Sequence, residues 1–300
     1  MHPGRCRDVR RASRGGASPP DGPLGLCRET AAAYPEDSPF RLSMTFRIGV
    51  RRPNTGPAAG RAANLGAAHR KGFSPRAVAF ALLSMSAHPP KLVFFDCDTT
   101  LSGIEGVDEL ARLRGPTVLA AVAAMTTAAM EGGTPLEQVF ARRLDLIRPR
   151  RADMDVIGRL YLEHVEPTAK ETIAELKAAG WTPVVLSAGY TPAIEPLAKL
   201  LGIARIEAVQ LRFDAAGNYA GFDESFPTTR AQGKPARIRE LKRELRPVRT
   251  AMVGDGVSDL EATAAVDVFV GFGGFVERAK VRAGARHFIH RLSELPALLG

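Results

Sequence analysis

The sequence predicts an α/β fold: an open parallel sheet covered by helices on both faces, with a small helical insertion after the first strand and a short β-hairpin. Three observations predict it. KLVFFD (91–96) is an unbroken apolar run ending in an acid, the pattern of a strand buried on both faces whose carboxy end meets a loop. Residues 105–165 carry helical patterns punctuated by Gly and Pro. From 168 onward strand and helix patterns alternate, which is how a parallel sheet is wound.

The elements follow in order. The insertion reads as helices in GVDELARLRG, TVLAAVAAMTTAAMEGG and PLEQVFARRLDLIRP. Next come helix TAKETIAELKAAG (168–180), strand TPVVLS (182–187) and helix TPAIEPLAKLLG (191–202). A hairpin, QLRFDAAGNYAGF (210–222), turns at Ala216, Gly217 and Asn218. Helix KPARIRELKREL (234–245), strand TAMVGD (250–255), a loop with a helix, and strand DVFVGF (267–272) complete the pattern. The chain is thus expected to hold an α/β core in 85–104 and 167–300, and a helical cap in 105–166.

Charge separates these parts from what precedes them. The net charge of +9 sits in residues 1–84, with 14 Lys and Arg against 5 acids, while residues 85–300 balance at 27 of each. A nucleic-acid-binding domain carries its basic footprint on the folded part, so none is expected to bind the core. The Arg/Ala/Gly/Pro/Ser texture of residues 1–76 sustains no hydrophobic period and reads as disordered. Three accounts of this extension stay open: a true start at Met85, a functional or targeting segment, or a secretory signal built on Arg76 and AVAFALLSMSA. Three cysteines (Cys6, Cys27, Cys97) are too few for a disulfide framework and fit a reducing compartment, so a cytoplasmic location is expected, with an organellar or exported one if the extension is a targeting segment. No run reaches the ~18–20 apolar residues of a membrane span, and no membrane partner is expected. Homodimer formation stays open.

In open α/β sheets the ligand lies beyond the carboxyl ends of the strands. Those ends offer Asp96 and Asp98, Ser187, and Asp255 with Asp259, while Lys234 opens the helix before the last of them. Gathered carboxylates repel one another unless a cation neutralises them, which asks for a hard, oxygen-loving metal such as Mg2+. A hydroxyl, a Lys and helix amides suit a phosphoryl group bridging to it. Taken singly, an Asp-x-Asp pair is commonly a solvated loop, a strand-end Ser a helix cap, and Gly-Asp-Gly a turn whose glycines supply unusual backbone angles. Their joint occurrence in fixed order at one sheet edge is what gives them weight.

DCDTT (96–100), LSAGY (186–190), GK (233–234) and VGDGVSDLEA (253–262) resemble the four motifs of the haloacid dehalogenase superfamily, in its phosphoserine phosphatase-like branch. The resemblance runs from about Lys91 to Leu299 and includes GIEGVDELARLRG, RLDLIRP, LRFDAAGNYAGFDESFPT and VDVFVGFGG. It implies the Rossmann-like haloacid dehalogenase fold and Mg2+-dependent hydrolysis of O-phospho-L-serine, the last step of serine biosynthesis. By the same resemblance Asp96 is the nucleophile that forms an aspartyl-phosphate, and Asp98 the general acid and base. Asp96, the Asp98 carbonyl and Asp255 hold the metal, and Asp259 supports them. Ser187, the amide of Ala188 and Lys234 bind phosphate. Glu105 takes the substrate amino group, Arg143 its carboxylate, and Met130 packs against it.

The chain departs from the family pattern in places. Ala188 stands where Gly is usual, so its methyl is expected to crowd the phosphate loop, and Leu136 replaces an aromatic ring. Two extra residues fall near Pro116, and Cys97, between the two acids, reads as strand packing. Two alternatives stand beside the leading reading. One is a related phosphatase or phosphotransferase acting on another small phosphomonoester such as phosphohomoserine. The other is nucleic-acid binding through the basic segment, which would survive loss of Asp96.

Overall fold

Period-two geometry assigns the two faces of the central strand. In β1 (Lys91–Phe95), Val93 and Phe95 enter one apolar cluster and Leu92 and Phe94 another, all four fully buried. The protein is seen in a computed structural model that describes residues 89–130 and 136–300, without the side chains of 128–130 and 136. The basic segment 1–84 and the side chains of Met130 and Leu136 therefore lie outside the described residues.

Strand β1 pairs in parallel with β2 (Trp181–Tyr190) on one side and β6 (Arg249–Gly254) on the other. Beyond β2 lies β3 (Arg205–Val209), and beyond β6 lie β7 (Val268–Phe272) and β8 (His287–Ile289). The order is β3-β2-β1-β6-β7-β8, parallel throughout. The chain leaves β1 for neighbours on both sides, so the switch point of the sheet lies at the end of β1, beside Asp96.

Four helices follow β1: α1 (Gly106–Arg112), α2 (Pro116–Met130), α3 (Leu136–Ile147) and α4 (Arg151–Glu163). Helix α5 (Ala169–Ala178) then leads into β2, and α6 (Thr191–Leu201) joins β2 to β3. Helix α5 buries Ala169, Thr172, Ile173 and Leu176, the spacing of a single apolar stripe. Helix α6 ends at Gly202, whose φ of 67° is the left-handed cap that glycine adopts without cost. Ile157, Ile173 and Ile194 from α4, α5 and α6 cover the face of Val93 and Phe95. The opposite face is covered by Ile238 and Leu241 of α7 (Gly233–Leu245). The hairpin of β4 (Leu211–Phe213) and β5 (Tyr219–Phe222) turns through Gly217, at a φ of 81°. Short helices α8 (Val257–Leu260), α9 (Ala279–Gly284) and α10 (Leu295–Leu299) complete the set. No described helix is long and apolar enough to cross a membrane.

Two strands, β3 and β8, are not predicted by the sequence pattern. RIEAV (205–209) lacks an apolar run because it carries Glu207, buried with Arg205 Nε at 2.7 Å and Arg237 Nε at 2.9 Å. Strand β8 is only three residues long. Strand β2 also runs three residues past the expected end, to Tyr190, across an irregularity in its pairing with β3.

The segments entering and leaving the α1–α4 region lie side by side. Ser102 bridges Val165, Gly103 N–H donates to His164 O at 2.9 Å, and Glu166 N–H donates to Leu101 O at 2.9 Å. Helix α4 is packed closely on α6: a Cβ on Gly158 would come within 3.0 Å of Pro196 and 3.3 Å of Ala193 O.

Candidate active site

The ladder positions the first acid. Asp96 N–H donates to Val253 O at 3.0 Å, continuing β1 against β6. Its Oδ1 lies 2.7 Å from Lys234 Nζ, and the same ammonium lies 2.5 Å from Asp259 Oδ1. Lys234 is 3% exposed, and burial works against its charge, yet Asp259 and Asp96 hold it well above the ordinary lysine range. The start of α7 is built to deliver it. Gln232 takes a left-handed φ of 58°, and a Cβ on Gly233 would lie 1.9 Å from the Pro227 carbonyl oxygen.

Asp255, at the end of β6, accepts from Thr99 Oγ1 at 2.7 Å, Thr100 Oγ1 at 3.1 Å and Arg278 Nε at 2.9 Å. Thr99 reaches it from a φ of 50°, a left-handed conformation that costs a β-branched residue energy. Asp259 is wholly buried on α8, and its Oδ2 accepts from Gly256 N–H at 2.9 Å. The glycines of the Gly-Asp-Gly sequence are explained by space and not by unusual angles. Neither has a positive φ, and a Cβ on Gly254 would meet the Asp259 carboxyl at 2.2 Å.

Oxygens of Asp96, Asp255 and Asp259 lie within 4.8 Å of one another, all three residues buried. Burial, then the charge of Asp96, raises the Asp255 carboxyl above its ordinary value. Three hard oxygen donors held this close fit a divalent cation of the Mg2+ type, which would relieve that repulsion. Asp98 stands outside this group of side chains. Its Oδ1 accepts from Tyr161 Oη at 2.5 Å and from Gly106 N–H at 2.8 Å, and burial followed by the charge of Asp96 raises it to about 6.

Ser187 is buried at the end of the apolar part of β2. Its Oγ accepts from Gly189 N–H at 2.8 Å, and its carbonyl accepts from Thr228 Oγ1 at 3.0 Å. A Cβ on Gly189 would lie 3.1 Å from Ser187 Oγ and 3.2 Å from Asp98 Oδ2, so these two groups face the same small space. The tight position in this loop is therefore 189. Ala188 avoids the left-handed region and packs against the apolar cluster.

Glu105 occupies the N-cap position of α1 without a side-chain capping hydrogen bond, and its Oε1 instead accepts from Arg278 Nη2 at 3.0 Å. Burial and the charges of Asp98 and Asp255 push its carboxyl up, against the pull of Arg278. Arg278 thus ties Glu105 to Asp255. Arg143, on α3, donates to Thr126 Oγ1 at 3.2 Å and lies 5.8 Å over the Phe140 ring. Its buried Nε has no hydrogen-bond partner among the described residues, while neighbouring Arg142 is exposed. No described contact joins Arg143 to the aspartates. Cys97 is fully buried, and desolvation raises its thiol well above the ordinary range, in keeping with a packing role.

The structure thus brings together Asp96, Lys234, Asp255 and Asp259, places Asp98, Ser187 and Glu105 around them, and keeps Arg143 on a separate helix. Sequence reasoning missed Thr99, Thr100, Tyr161, Thr228 and Arg278. The two threonines adjoin Asp98 and were within reach of the motif; the other three come from distant elements that carry no local signal.

A family model for haloacid dehalogenase-like hydrolases matches residues 93–264. A phosphoserine phosphatase of Mus musculus is 38% identical over 208 residues, covering 68% of this chain and 90% of that protein. The phosphoserine phosphatase of Homo sapiens is 36% identical over 205 residues, with coverage of 68% and 90%. Among solved structures, a phospho-aspartyl intermediate analogue of phosphoserine phosphatase is 26% identical, with a TM-score of 0.60 over 70% of this chain and 99% of that one. Matched by the family model over more than half of its length, and aligned with these relatives across nine tenths of theirs, the chain belongs to the haloacid dehalogenase-like hydrolases, within them to the phosphoserine phosphatase family.

Proposed function

We propose that the chain hydrolyses O-phospho-L-serine to L-serine and phosphate through an aspartyl-phosphate on Asp96. The observation that carries this reading is the buried Lys234 ammonium 2.7 Å from Asp96, at the switch point of the sheet and beside Asp255 and Asp259. A carboxylate held next to a fixed cation can receive a phosphoryl group without bringing two uncompensated charges together.

In the first step an Asp96 oxygen bonds to phosphorus as the ester bond breaks. The bond's electron pair goes to the serine oxygen, and Asp98 supplies the proton that a poor alkoxide leaving group requires. In the second step Asp98 takes a proton from water as that water displaces the Asp96 carboxylate from phosphorus. Ser187, the amide of Ala188 and Lys234 hold the phosphoryl oxygens meanwhile. When bound, Mg2+ supplies positive charge to those oxygens. Asp96, Asp255 and the Asp98 carbonyl would hold it, with Asp259 fixing Lys234. The helical segment 105–166 serves as the cap, where Glu105 meets the amino group, Arg143 the carboxylate, and Met130 the substrate's body. The partnerless Nε of Arg143 supports this assignment, because a buried guanidinium with a spare donor suits a bidentate carboxylate.

Phosphate release by the full chain from a panel of phosphomonoesters, with Mg2+ or with EDTA, tests the reading. Phosphoserine should be preferred, EDTA should abolish turnover, and Asp96→Asn should lower it by at least about 10^3-fold. Absence of Mg2+-dependent release from every ester would defeat the enzyme reading. Preference for phosphohomoserine or another ester would remove only the substrate assignment.

A further inference from the structure

Asp98 sits in the loop after β1, yet both donors to its Oδ1 come from the helical segment that follows. Tyr161 Oη, on α4, donates at 2.5 Å and Gly106 N–H, at the start of α1, donates at 2.8 Å. The other oxygen, Oδ2, faces the Gly189 position, 3.2 Å from where a Cβ there would stand, with Ser187 Oγ on the same side. Position 106 is matched to this arrangement: a Cβ would lie 2.2 Å from Tyr161 Oη and 3.3 Å from Asp98 Oδ1. A residue with any side chain at 106 would drive the hydroxyl off the carboxyl.

We propose that Tyr161 is a positioning residue for the acid step, its hydroxyl acting with the Gly106 amide to fix Asp98 so that Oδ2 is the oxygen that delivers the proton. This rests on the reaction proposed above. An oxygen that accepts two hydrogen bonds is the carbonyl-type oxygen of a protonated carboxyl group, so the acid hydrogen resides on the other oxygen. That hydrogen then points toward the Ser187–Gly189 loop, where the bridging oxygen of a phosphate ester must approach. During transfer the proton passes from Asp98 Oδ2 to the serine oxygen as that oxygen takes the electron pair of the breaking bond. The carboxylate left behind is stabilised by the same two donors, and Tyr161 gives up nothing. Tyr161 is itself held by the core, because α4 packs closely on α6 and buries Ile157 and Tyr161 in the cluster that covers Val93 and Phe95.

A merely structural tyrosine would affect all substrates alike, whereas an acid-positioning one matters in proportion to the leaving group's need for a proton. Wild type, Tyr161→Phe and Gly106→Ala are therefore compared by kcat/KM, which reports the steps through departure of the first leaving group, on phosphoserine and on p-nitrophenyl phosphate. The alkoxide of serine needs a proton and nitrophenolate does not. Both variants should lose about tenfold or more on phosphoserine, a fraction of the roughly 10^2–10^4-fold carried by a general acid, and less than about 3-fold on the aryl ester. Equal losses on the two esters, or no loss on phosphoserine, overturn the proposal. Wild-type enzyme that cleaves the aryl ester but not phosphoserine would remove the substrate reading instead. The variants are then compared on β-glycerophosphate, another alkyl ester, where a loss larger than on the aryl ester supports the proposal and an equal loss overturns it. Gly106→Ala displaces the hydroxyl with the ring intact, which keeps the test decisive if Tyr161→Phe fails to fold.

Discussion

Lys234 is the residue on which the site's electrostatics turn. Its ammonium is the cation between two buried carboxylates, at 2.5 Å from Asp259 and 2.7 Å from Asp96, and it is almost sealed from water. A buried charge cluster that loses one sign is left uncompensated, at a cost of about 3–5 kcal/mol. Lys234→Met should therefore destabilise the metal-free protein by roughly that amount in urea denaturation at pH 7.5; a change below about 1 kcal/mol would mean that the pairing of Lys234 with Asp259 and Asp96 contributes little to the fold. Arg278 illustrates a different relation. It touches Asp255 and Glu105 from the stretch before α9, and its side chain is 30% exposed, so it adjusts the charge of the site from the rim while Lys234 does so from within.

At the scale of the element, the entry to α7 decides where Lys234 goes. The chain turns through Gln232 in the left-handed region, and Gly233 sits against the Pro227–Thr228 backbone, with a Cβ there 1.9 Å from a carbonyl oxygen and 2.8 Å from Thr228 Cα. Main-chain atoms cannot rotate away as a side-chain tip can. Gly233→Ala should therefore cost about 1–3 kcal/mol, the usual penalty for overpacking, and lower kcat by shifting the helix that carries the ammonium. Thermal melting and phosphate release measure the two effects; an unchanged melting temperature with full activity would show that the Pro227 turn yields freely. Helix α4 plays the comparable part on the other side of the site. Gly158 lets it approach α6 closely, and that seating brings Tyr161 within reach of Asp98.

Across the whole molecule, a parallel sheet with both faces covered gathers acids from several strand ends into a place that water barely reaches. The result is a linkage between protons, metal and stability. Burial and the charge of Asp96 raise Asp98 from an ordinary 3.8 to about 6 and also raise Asp255. A carboxyl whose folded value exceeds its unfolded one favours the fold fully below about pH 3.8, and that contribution fades as pH rises through about 6. In EDTA, the melting temperature should thus decline between pH 5 and pH 7.5, and Mg2+ should raise it more at pH 7.5 than at pH 5. Scanning fluorimetry at the two pH values checks this; an equal Mg2+ increment at both would separate the metal from the carboxylates. Much of this architecture was legible in the chain. The unbroken apolar run of β1, the alternation after residue 168 and the acids at the strand ends led to the sheet, the helical insertion and the group of Asp96, Asp98, Asp255, Asp259, Ser187 and Lys234, because period, length and end residues are local properties. Strand β3 was hidden by Glu207, whose burial depends on Arg205 and Arg237 from two different elements. The reason for the glycines at 233 and 254 was hidden too, since each makes room for a group brought to it by another part of the chain. The sequence by itself determined which chemical groups are present and at which strand ends they stand. Only the tertiary structure decided their pairing, with Tyr161 on Asp98, Arg278 between Glu105 and Asp255, and Lys234 between Asp96 and Asp259, because a hydrogen bond between residues 63 or 173 positions apart exists only once the packing has brought them together.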